Sequence, residues 1–323
     1  MQATYRATRW LGLMIAVAIP ASMAAAETLL VGNKGEDSVS FLELATGAER
    51  ARIATGKAPH EIAISPNGKQ AAVVAYGGTT VDIFDVARAR LVKRIDLAPN
   101  SAPHGIVWLR DGRLVVATEK SRSVVVIDPR TGRLRSIATD QSGTHMVAVS
   151  PDQRRAYAAN VGAGTISVID LRRGVKLNDI HLGGNPEGLA VTADGRELWV
   201  GDNSAPRLRV VDLASGRTVA TLPTDPVAIR VAISPDGKTA VTSNIGAGTL
   251  NVFDVASRKP LRTIVVSRRR EAIQVTVAFA RDGRRVLVAE TGPGTIAEVD
   301  LASGEVRRRI TAGKNGDGIG IAP

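Results

Sequence analysis

The chain has 323 residues, of which 44% are hydrophobic and 23% charged, with a formal net charge of +11 and no cysteine. This length and balance are typical of a folded globular protein with a sizeable core. The lack of cysteine excludes disulfides, thiolate zinc sites, a thiol nucleophile and covalent attachment of c-type haem.

The first 26 residues have the pattern of a secretory signal peptide. Arg6 and Arg9 precede the apolar run 10–19, and a small-residue stretch ends at Ala26 with no acidic residue before it. A basic start, a short apolar centre and an A-x-A-like end are typical of such signals. The apolar run is about half as long as a membrane-spanning helix. We expect cleavage after Ala26 and a periplasmic or secreted chain, 27–323, that is not an integral membrane protein.

Residues 27–323 repeat one unit seven times. Each unit has an apolar strand, a turn rich in Pro, Asp and Gly, a second strand, a Gly/Asn loop, a third strand ending in an acid, and a fourth strand. The acids stand at Glu43, Asp85, Asp128, Asp170, Asp212, Asp254 and Asp300, spaced 42, 43, 42, 42, 42 and 46 residues apart. Four short strands per unit at this period indicate a β-propeller. We predict an all-β fold, a seven-bladed propeller of four-stranded antiparallel blades in one domain.

The order of the strands predicts how the propeller closes. The predicted first strands are Glu61–Ser65, Gly105–Leu109, Met146–Ser150, Gly188–Thr192, Arg230–Ser234, Thr276–Ala280 and Gly318–Ala322. The last of them has no second strand after it, whereas residues 29–32 read as a second strand that no first strand precedes. We therefore expect the C-terminal strand to complete the N-terminal blade, a 1+3 closure that leaves only short edges.

The repeats resemble the YVTN-type repeat family of seven-bladed propellers. The resemblance rests on the SPDGK turn at Ser234–Lys238, the TISVID strand at Thr165–Asp170 and the YAAN segment at Tyr157–Asn160, and it covers nearly all of 27–323. It implies a mostly exported propeller, but the family shares no single activity, and a fold alone does not assign one. Similar propellers include lactone-hydrolysing and lyase families and others that hold copper or haem d1 near the axis.

Candidate functional residues occupy two repeat positions that should share one end of the propeller, called here the top face. The position just before each first strand holds His60, His104, His145, Glu187, Ile229, Val275 and Asp317. The position that ends each second strand holds Asn33, Tyr76, Glu119, Asn160, Asp202, Asn244 and Glu290. Three histidines should thus lie at the mouth of the axial channel. The turn spacing also predicts that His104 faces Glu119 and that Glu187 faces Asp202.

This cluster supports more than one interpretation. The candidate ligand-binding residues are His104, Glu119, Glu187, Asp202 and Asp317. Neutral imidazoles are common metal ligands, so His60, His104 and His145 are also candidates to hold a metal ion, which is the one cofactor that the sequence suggests. A Pro-His pair that merely packs its loop and bonds the backbone explains the same repetition without any ligand.

From these patterns we predict a monomeric binding or scaffold protein. Its top-face mouth would receive a small ligand, a metal ion or a periplasmic protein partner. The alternative is an enzyme on the same fold, lactonase-like, lyase-like or related to metal- or haem-dependent oxidoreductases. In that case His104 and Glu119 would form an acid–base pair, and Glu187 and Asp202 a metal-binding or proton-sharing pair.

The positive charge comes largely from arginines on the predicted outer strands. Charged edges block the addition of foreign strands, which explains them without a partner. Binding to nucleic acid or another anionic surface is the other interpretation, although only 3% of residues are aromatic and base stacking is poorly supported. The run Arg268–Arg270 differs, because it lies in the longer top-face loop Ser267–Ile273. It could meet an anionic ligand or be a solvated charge run.

Overall fold

The computed structural model describes residues 27–323, and the predicted signal peptide lies outside them. In this part of the chain, short antiparallel strands follow one another, and the one helical element is a 3-10 turn at Arg270–Ala272. The strands form seven four-stranded sheets. This confirms the all-β, seven-bladed propeller. Across 27–323, no helix combines the length and the apolar character needed to cross a membrane.

The strands are named in chain order and the blades are numbered from the N-terminus. Blade 1 contains β28 (Gly316–Ala322), β1 (Thr28–Asn33), β2 (Ser38–Glu43) and β3 (Glu49–Ala54); blade 2 contains β4 (Pro59–Ile64), β5 (Gln70–Ala75), β6 (Thr80–Asp85) and β7 (Arg90–Asp96). Blade 3 contains β8 (Pro103–Trp108), β9 (Leu114–Thr118), β10 (Ser123–Asp128) and β11 (Arg133–Ala138); blade 4 contains β12 (Thr144–Val149), β13 (Arg155–Asn160), β14 (Thr165–Asp170) and β15 (Val175–His181). Blade 5 contains β16 (Pro186–Val191), β17 (Glu197–Asp202), β18 (Arg207–Asp212) and β19 (Arg217–Pro223); blade 6 contains β20 (Ala228–Ile233), β21 (Thr239–Asn244), β22 (Thr249–Asp254) and β23 (Lys259–Val265). Blade 7 contains β24 (Gln274–Phe279), β25 (Arg285–Glu290), β26 (Thr295–Asp300) and β27 (Val306–Thr311).

The core is distributed between neighbouring blades. The two middle strands of each blade are buried on both faces, and β-branched and small side chains suit such a doubly covered sheet. A separate cluster of buried apolar side chains fills each junction. The few aromatic side chains belong to these clusters: Phe41 meets Phe84 with centroids 5.9 Å apart, and Trp199 meets Phe253 at 6.2 Å.

The ends of the described chain pair as the sequence predicts. Strand β28 lies antiparallel to β1, with Thr28 opposite Ala322 and Leu29 opposite Ile321. The closing strand therefore provides the inner edge of blade 1, and it contributes Ile319 to the apolar cluster between blades 7 and 1.

All seven inner strands begin two residues earlier than predicted, and each carries a β-bulge at its top-face end. In blade 2, Pro59 pairs with Ala75 whereas Ile62 pairs with Val73, which leaves one extra residue on the inner strand. The same shift occurs in the other blades. A bulge breaks the regular alternation of side chains and redirects the residues next to it. These residues include the predicted site positions.

Cations on the outer strands link each of five blades to the next one. Their side chains donate hydrogen bonds to backbone carbonyls of the turn between the third and fourth strands of the following blade. The donors and acceptors are Arg50 to Val86, Lys93 to Pro129, Arg135 to Arg173, Arg262 to Ala302, and Arg308 to Leu44 and Ala45. Within 27–323, the junctions between blades 4 and 5 and between blades 5 and 6 have no such bond. Much of the basic charge is thus used inside the protein.

The closure predicts the effect of a C-terminal truncation. Deleting Gly318–Pro323 should abolish cooperative unfolding, because β1 would lose β28 as its partner and blade 1 would lose its inner strand. Thermal unfolding followed by circular dichroism and calorimetry would measure this. Deleting Pro323 alone leaves β28 intact and serves as the control. A truncated chain that melts like the full one would refute the role of the closure.

Candidate functional site

Three imidazole rings lie in contact at the top-face end of the channel. His60, His104 and His145 are the second residues of β4, β8 and β12, in three consecutive blades. The ring centroids of His60 and His104 are 4.8 Å apart, and those of His104 and His145 are 3.6 Å apart. Tyr76 packs against them, 4.7 Å from His60 and 5.4 Å from His104. The three histidines therefore come together as the sequence predicts.

His145 is held between two carboxylates. Its Nδ1 lies 2.7 Å from Oε2 of Glu119, and its Nε2 lies 3.5 Å from Oε1 of Glu187. The hydroxyl of Tyr76 donates a second hydrogen bond to Oε2 of Glu119, at 3.1 Å. Burial lowers the pKa of His145, but the two carboxylates outweigh it, and the net pKa is above that of an ordinary histidine. The hydrogen bond from His145 in turn holds the pKa of Glu119 below its usual range.

The other two imidazoles are neutral. Burial lowers the pKa of His60 to about 4, although its Nε2 lies 3.8 Å from Oδ2 of Asp317. Burial also places the pKa of His104 well below its ordinary value, and the neighbouring His145 and His60 add to the effect. His104 is only 2% exposed, and its Nδ1 has no hydrogen-bond partner among the described residues. The ring of His104, with its unsatisfied nitrogen, therefore stacks against a ring whose two nitrogens both lie beside carboxylates.

Arg230 spans the channel beneath the histidines, and the sequence analysis did not assign it to the site. Its Nη1 donates to Oε1 of Glu187 at 2.6 Å, and its Nη2 donates to Oε1 of Glu61 at 3.0 Å, across the propeller in blade 2. The side chains of Arg230 and Glu187 are each 6% exposed. Burial disfavours the charge of Arg230, but the nearby carboxylates, Glu61 first, raise its pKa above the ordinary value.

A sequence signal for Arg230 does exist. In three of the seven inner strands the third residue is glycine, at positions 105, 188 and 318. A Cβ at Gly318 would lie 1.9 Å from the carbonyl oxygen of His60, and one at Gly105 would lie 2.6 Å from the nitrogen of Val147. Neighbouring inner strands thus approach closely where glycine permits it. A large charged residue at this repeat position, as at Arg230, has only the channel to occupy.

Asp317 and Lys34 complete the mouth beside His60. Nζ of Lys34 lies 2.8 Å from Oδ2 of Asp317, which is itself buried. Burial raises the pKa of Asp317, but the charges of Lys34 and Arg230 outweigh it and hold that pKa below its usual range. We call the following set the axial mouth: Lys34, His60, Glu61, Tyr76, His104, Glu119, His145, Glu187, Arg230 and Asp317.

Two predicted pairings are wrong because of the bulges. Glu119 bonds His145 of the next blade and not His104. Asp202 does not face Glu187: its Oδ2 pairs with Nε of Arg207 at 2.7 Å and with Nη1 of Arg209 at 3.1 Å. Its pKa is held below its usual range despite burial, so the predicted proton-sharing pair does not form. Asp202 belongs to the internal network of blade 5.

The second-strand position divides into structural and mouth residues. In several blades its side chain bonds the third or fourth strand of the same blade, as in Asn33 to Ser40 and Asn160 to Ser167. Tyr76 and Glu119 come directly after β5 and β9 instead of within them. These two side chains reach the histidines.

The geometry gives the metal interpretation no support. Within 27–323, no three His, Asp or Glu side chains have an arrangement that could hold a metal ion. Imidazole lone pairs lie in the ring plane, and the planes of His104 and His145 are stacked with 32° between them. Their nitrogens therefore lie side by side and do not converge on one centre. The metal-binding role of His60, His104 and His145 stays a prediction.

Comparison with known proteins assigns the family. The chain matches the family described as "Lactonase, 7-bladed beta-propeller" over residues 29–222, and it belongs to that family. This match confirms the propeller expected from the YVTN-type resemblance, whereas the YVTN-type name itself stays a prediction. A comparison with curated protein sequences found no match.

Several solved structures share the fold. Hydrazine synthase of Kuenenia stuttgartiensis is similar with a TM-score of 0.78 and 19% identity, covering 90% of this chain and 99% of that one. A dihydro-heme d1 dehydrogenase in complex with DHE is similar with a TM-score of 0.68 and 17% identity, covering 91% of this chain and 74% of that one. A functionally unknown protein from Desulfotomaculum acetoxidans is similar with a TM-score of 0.77 and 15% identity, covering 91% of this chain and 98% of that one. At these identities the similarity shows the fold alone.

The buried position of Arg230 predicts a large effect on stability. Arg230→Ala should lower the free energy of unfolding by about 3–5 kcal/mol, because Glu61 and Glu187 would stay buried without their cation. Urea denaturation would measure the loss. The control is Arg196→Ala, whose side chain is 82% exposed and whose removal should change stability by less than about 0.5 kcal/mol. Equal stability of the two variants would contradict the assigned contacts.

The raised pKa of His145 predicts its titration. The stability contributed by charged His145 is present below the pKa of unfolded histidine and is lost as the pH rises through the higher folded value. Side-chain NMR of 15N-labelled histidine should show His145 titrating above a free histidine, and His60 and His104 below it. Glu119→Gln should move the pKa of His145 downward, because one carboxylate is lost. A His145 that titrates below free histidine in the unmodified protein would contradict the contacts.

Proposed function

We propose that this protein is an exported binding propeller whose axial mouth holds a small hydroxy acid or its lactone. The observation that carries the proposal is His145, held between Glu119 and Glu187 beside His104, which has an unsatisfied nitrogen. Export rests on the signal-like pattern of residues 1–26. The family match supports a ligand of this class.

The mouth offers both donors and acceptors to such a ligand. Lys34 and the imidazole ring of His145 can donate to a carboxylate or carbonyl oxygen. Glu119, which is partly exposed, can accept from a hydroxyl group. Tyr76 and His60 provide ring surfaces against which the carbon skeleton can pack. A hydroxy acid combines these features in one small molecule.

The contacts of His145 favour binding over base catalysis. A general base must be unprotonated and must have a free nitrogen that faces the proton it removes. Both nitrogens of His145 lie next to carboxylates, and its pKa is raised. Neither nitrogen is therefore free to act as a base, whereas an N–H of the ring can donate a hydrogen bond, which suits the recognition of an oxygen-rich ligand.

Lactone hydrolysis is the second candidate function, because the family match and the His145–Glu119 pair favour it. Above the pKa of His145, and once Glu187 has moved away from Nε2, that nitrogen could take a proton from water while the water oxygen bonds the lactone carbonyl carbon. The ring C–O bond would then break, and the released oxygen would take the proton back, which gives the hydroxy acid. Glu119 would orient the imidazole throughout. This reaction should become faster as the pH rises.

Calorimetric titration with gluconate tests the binding proposal. Glu119→Gln and His104→Ala should each weaken binding about tenfold, which corresponds to about 1.4 kcal/mol, because each removes a polar partner or a packing ring. The matched controls Glu305→Gln and His181→Ala alter exposed residues on outer parts of blades 7 and 4 and should bind normally. Equal affinity in all variants, or no binding to the unmodified protein, would overturn the proposal. Release of acid from gluconolactone above the spontaneous rate, rising with pH and lost in Glu119→Gln, would favour hydrolysis instead.

A further inference from the structure

A second cleft lies on the top face, between blades 6 and 7. Its volume is about 840 Å³, within the range of small-molecule sites. Its lining includes none of the residues of the axial mouth. Apolar side chains from the end of β23, the β25–β26 turn and the start of β27 form part of its walls, among them Val265, Pro293 and Val306.

The extra length of one repeat builds a wall of this cleft. The third-strand acids of blades 6 and 7 are 46 residues apart, where the other spacings are 42 or 43. Much of the added length lies in the loop Ser267–Ile273, which contains the 3-10 turn. The loop is anchored by hydrogen bonds from the backbone nitrogens of Thr291 and Gly292 to the carbonyls of Ile273 and Ala272, at 3.1 and 3.0 Å.

Two local features show that this loop is held in place. Ile273 has a φ of +46°, a conformation that β-branched residues rarely adopt and that persists where the surrounding structure fixes it. A Cβ at Gly292 would lie 1.7 Å from the carbonyl oxygen of Glu271. Only glycine permits this approach, and the wall therefore has a defined position.

The charges around the cleft are unequally compensated. At its floor, Glu290 is buried and accepts hydrogen bonds from Nε of Arg309 at 2.8 Å and from Thr295 at 2.8 Å. Arg268 and Arg269 line the cleft and are exposed. Among the ion pairs of residues 27–323, none involves either of them. With Glu271, the lining carries three arginines against two glutamates.

We propose that this cleft binds a small amphipathic anion. A carboxylate, sulfonate or phosphate group would lie against Arg268 and Arg269, which offer forked donors suited to such oxygens. A hydrocarbon or aromatic body would pack on Val265, Pro293 and Val306. The site is separate from the axial mouth, and the proposal does not depend on the function proposed for that mouth.

Fluorescence titration with anilinonaphthalene sulfonate, with displacement by decanoate, tests this site. The double variant Arg268→Ala/Arg269→Ala should weaken binding of the probe at least about tenfold. The control, Arg154→Ala/Arg196→Ala, removes the same charge from exposed turns at the other end of the blades and should leave binding unchanged. Uncharged phenylnaphthylamine should bind more weakly than the sulfonate. Equal affinity in both double variants, or equal binding of the two probes, would overturn the proposal.

A loop deletion separates this site from the axial one. Removing residues 268–271 restores the 42-residue spacing and should abolish probe binding, because it takes away both arginines and the wall. Far-ultraviolet circular dichroism and a melting curve would establish that the variant is folded. Any affinity for gluconate should persist in it. A folded deletion variant that still binds the sulfonate with unchanged affinity would refute the site.

Discussion

The pairing of β28 with β1 is the constraint on which the geometry of the molecule depends. It converts a linear series of repeats into a closed circle in which seven inner strands face one axis. Residues far apart in the chain then meet, as Glu61 meets Arg230 across the channel. Without closure, the second positions of the inner strands would follow an open spiral. The contact between Arg230 and Glu61 is therefore a product of topology as much as of local sequence.

The axial mouth is an electrostatic balance built in a confined space. Burial alone would neutralise every ionisable group there. Burial lowers the pKa of His60 and of His104, even though Asp317 lies 3.8 Å from His60. Where carboxylates stand closer, as at His145 and Arg230, they outweigh burial and raise the pKa. Neutral and charged donors thus alternate over a few ångströms, which is the kind of surface that distinguishes small polar molecules by the placement of their oxygens.

The sequence was sufficient for the architecture because a 42-residue period repeated seven times leaves few alternatives. It also located the histidines, since equivalent positions of a closed ring must lie together. It could not predict the partners of Glu119 and Asp202, because one bulged residue changes which side chains face each other. Arg230 was missed for a different reason. Its role arises from contacts across the channel, whereas the repeat pattern relates only residues that are neighbours within one blade. The hydrogen bonds from outer-strand cations to the next blade likewise depend on the distance between blades, which a repeat pattern does not predict.

Two junctions, between blades 4 and 5 and between blades 5 and 6, lack a hydrogen bond from an outer-strand cation to the next blade. The axial mouth bridges both of them from inside. His145 of blade 4 meets Glu187 of blade 5, and Glu187 in turn meets Arg230 of blade 6. The mouth also joins blades 1 and 2 through Asp317 and His60, and blades 3 and 4 through Glu119 and His145. Outside the mouth, an ion pair between Arg258 and Glu197 joins blades 5 and 6. A molecule that entered the mouth and bound Glu187 in place of its partners would break its contacts with both His145 and Arg230. One carboxylate, Glu187, thus connects the contents of the mouth with the contacts among blades 4, 5 and 6.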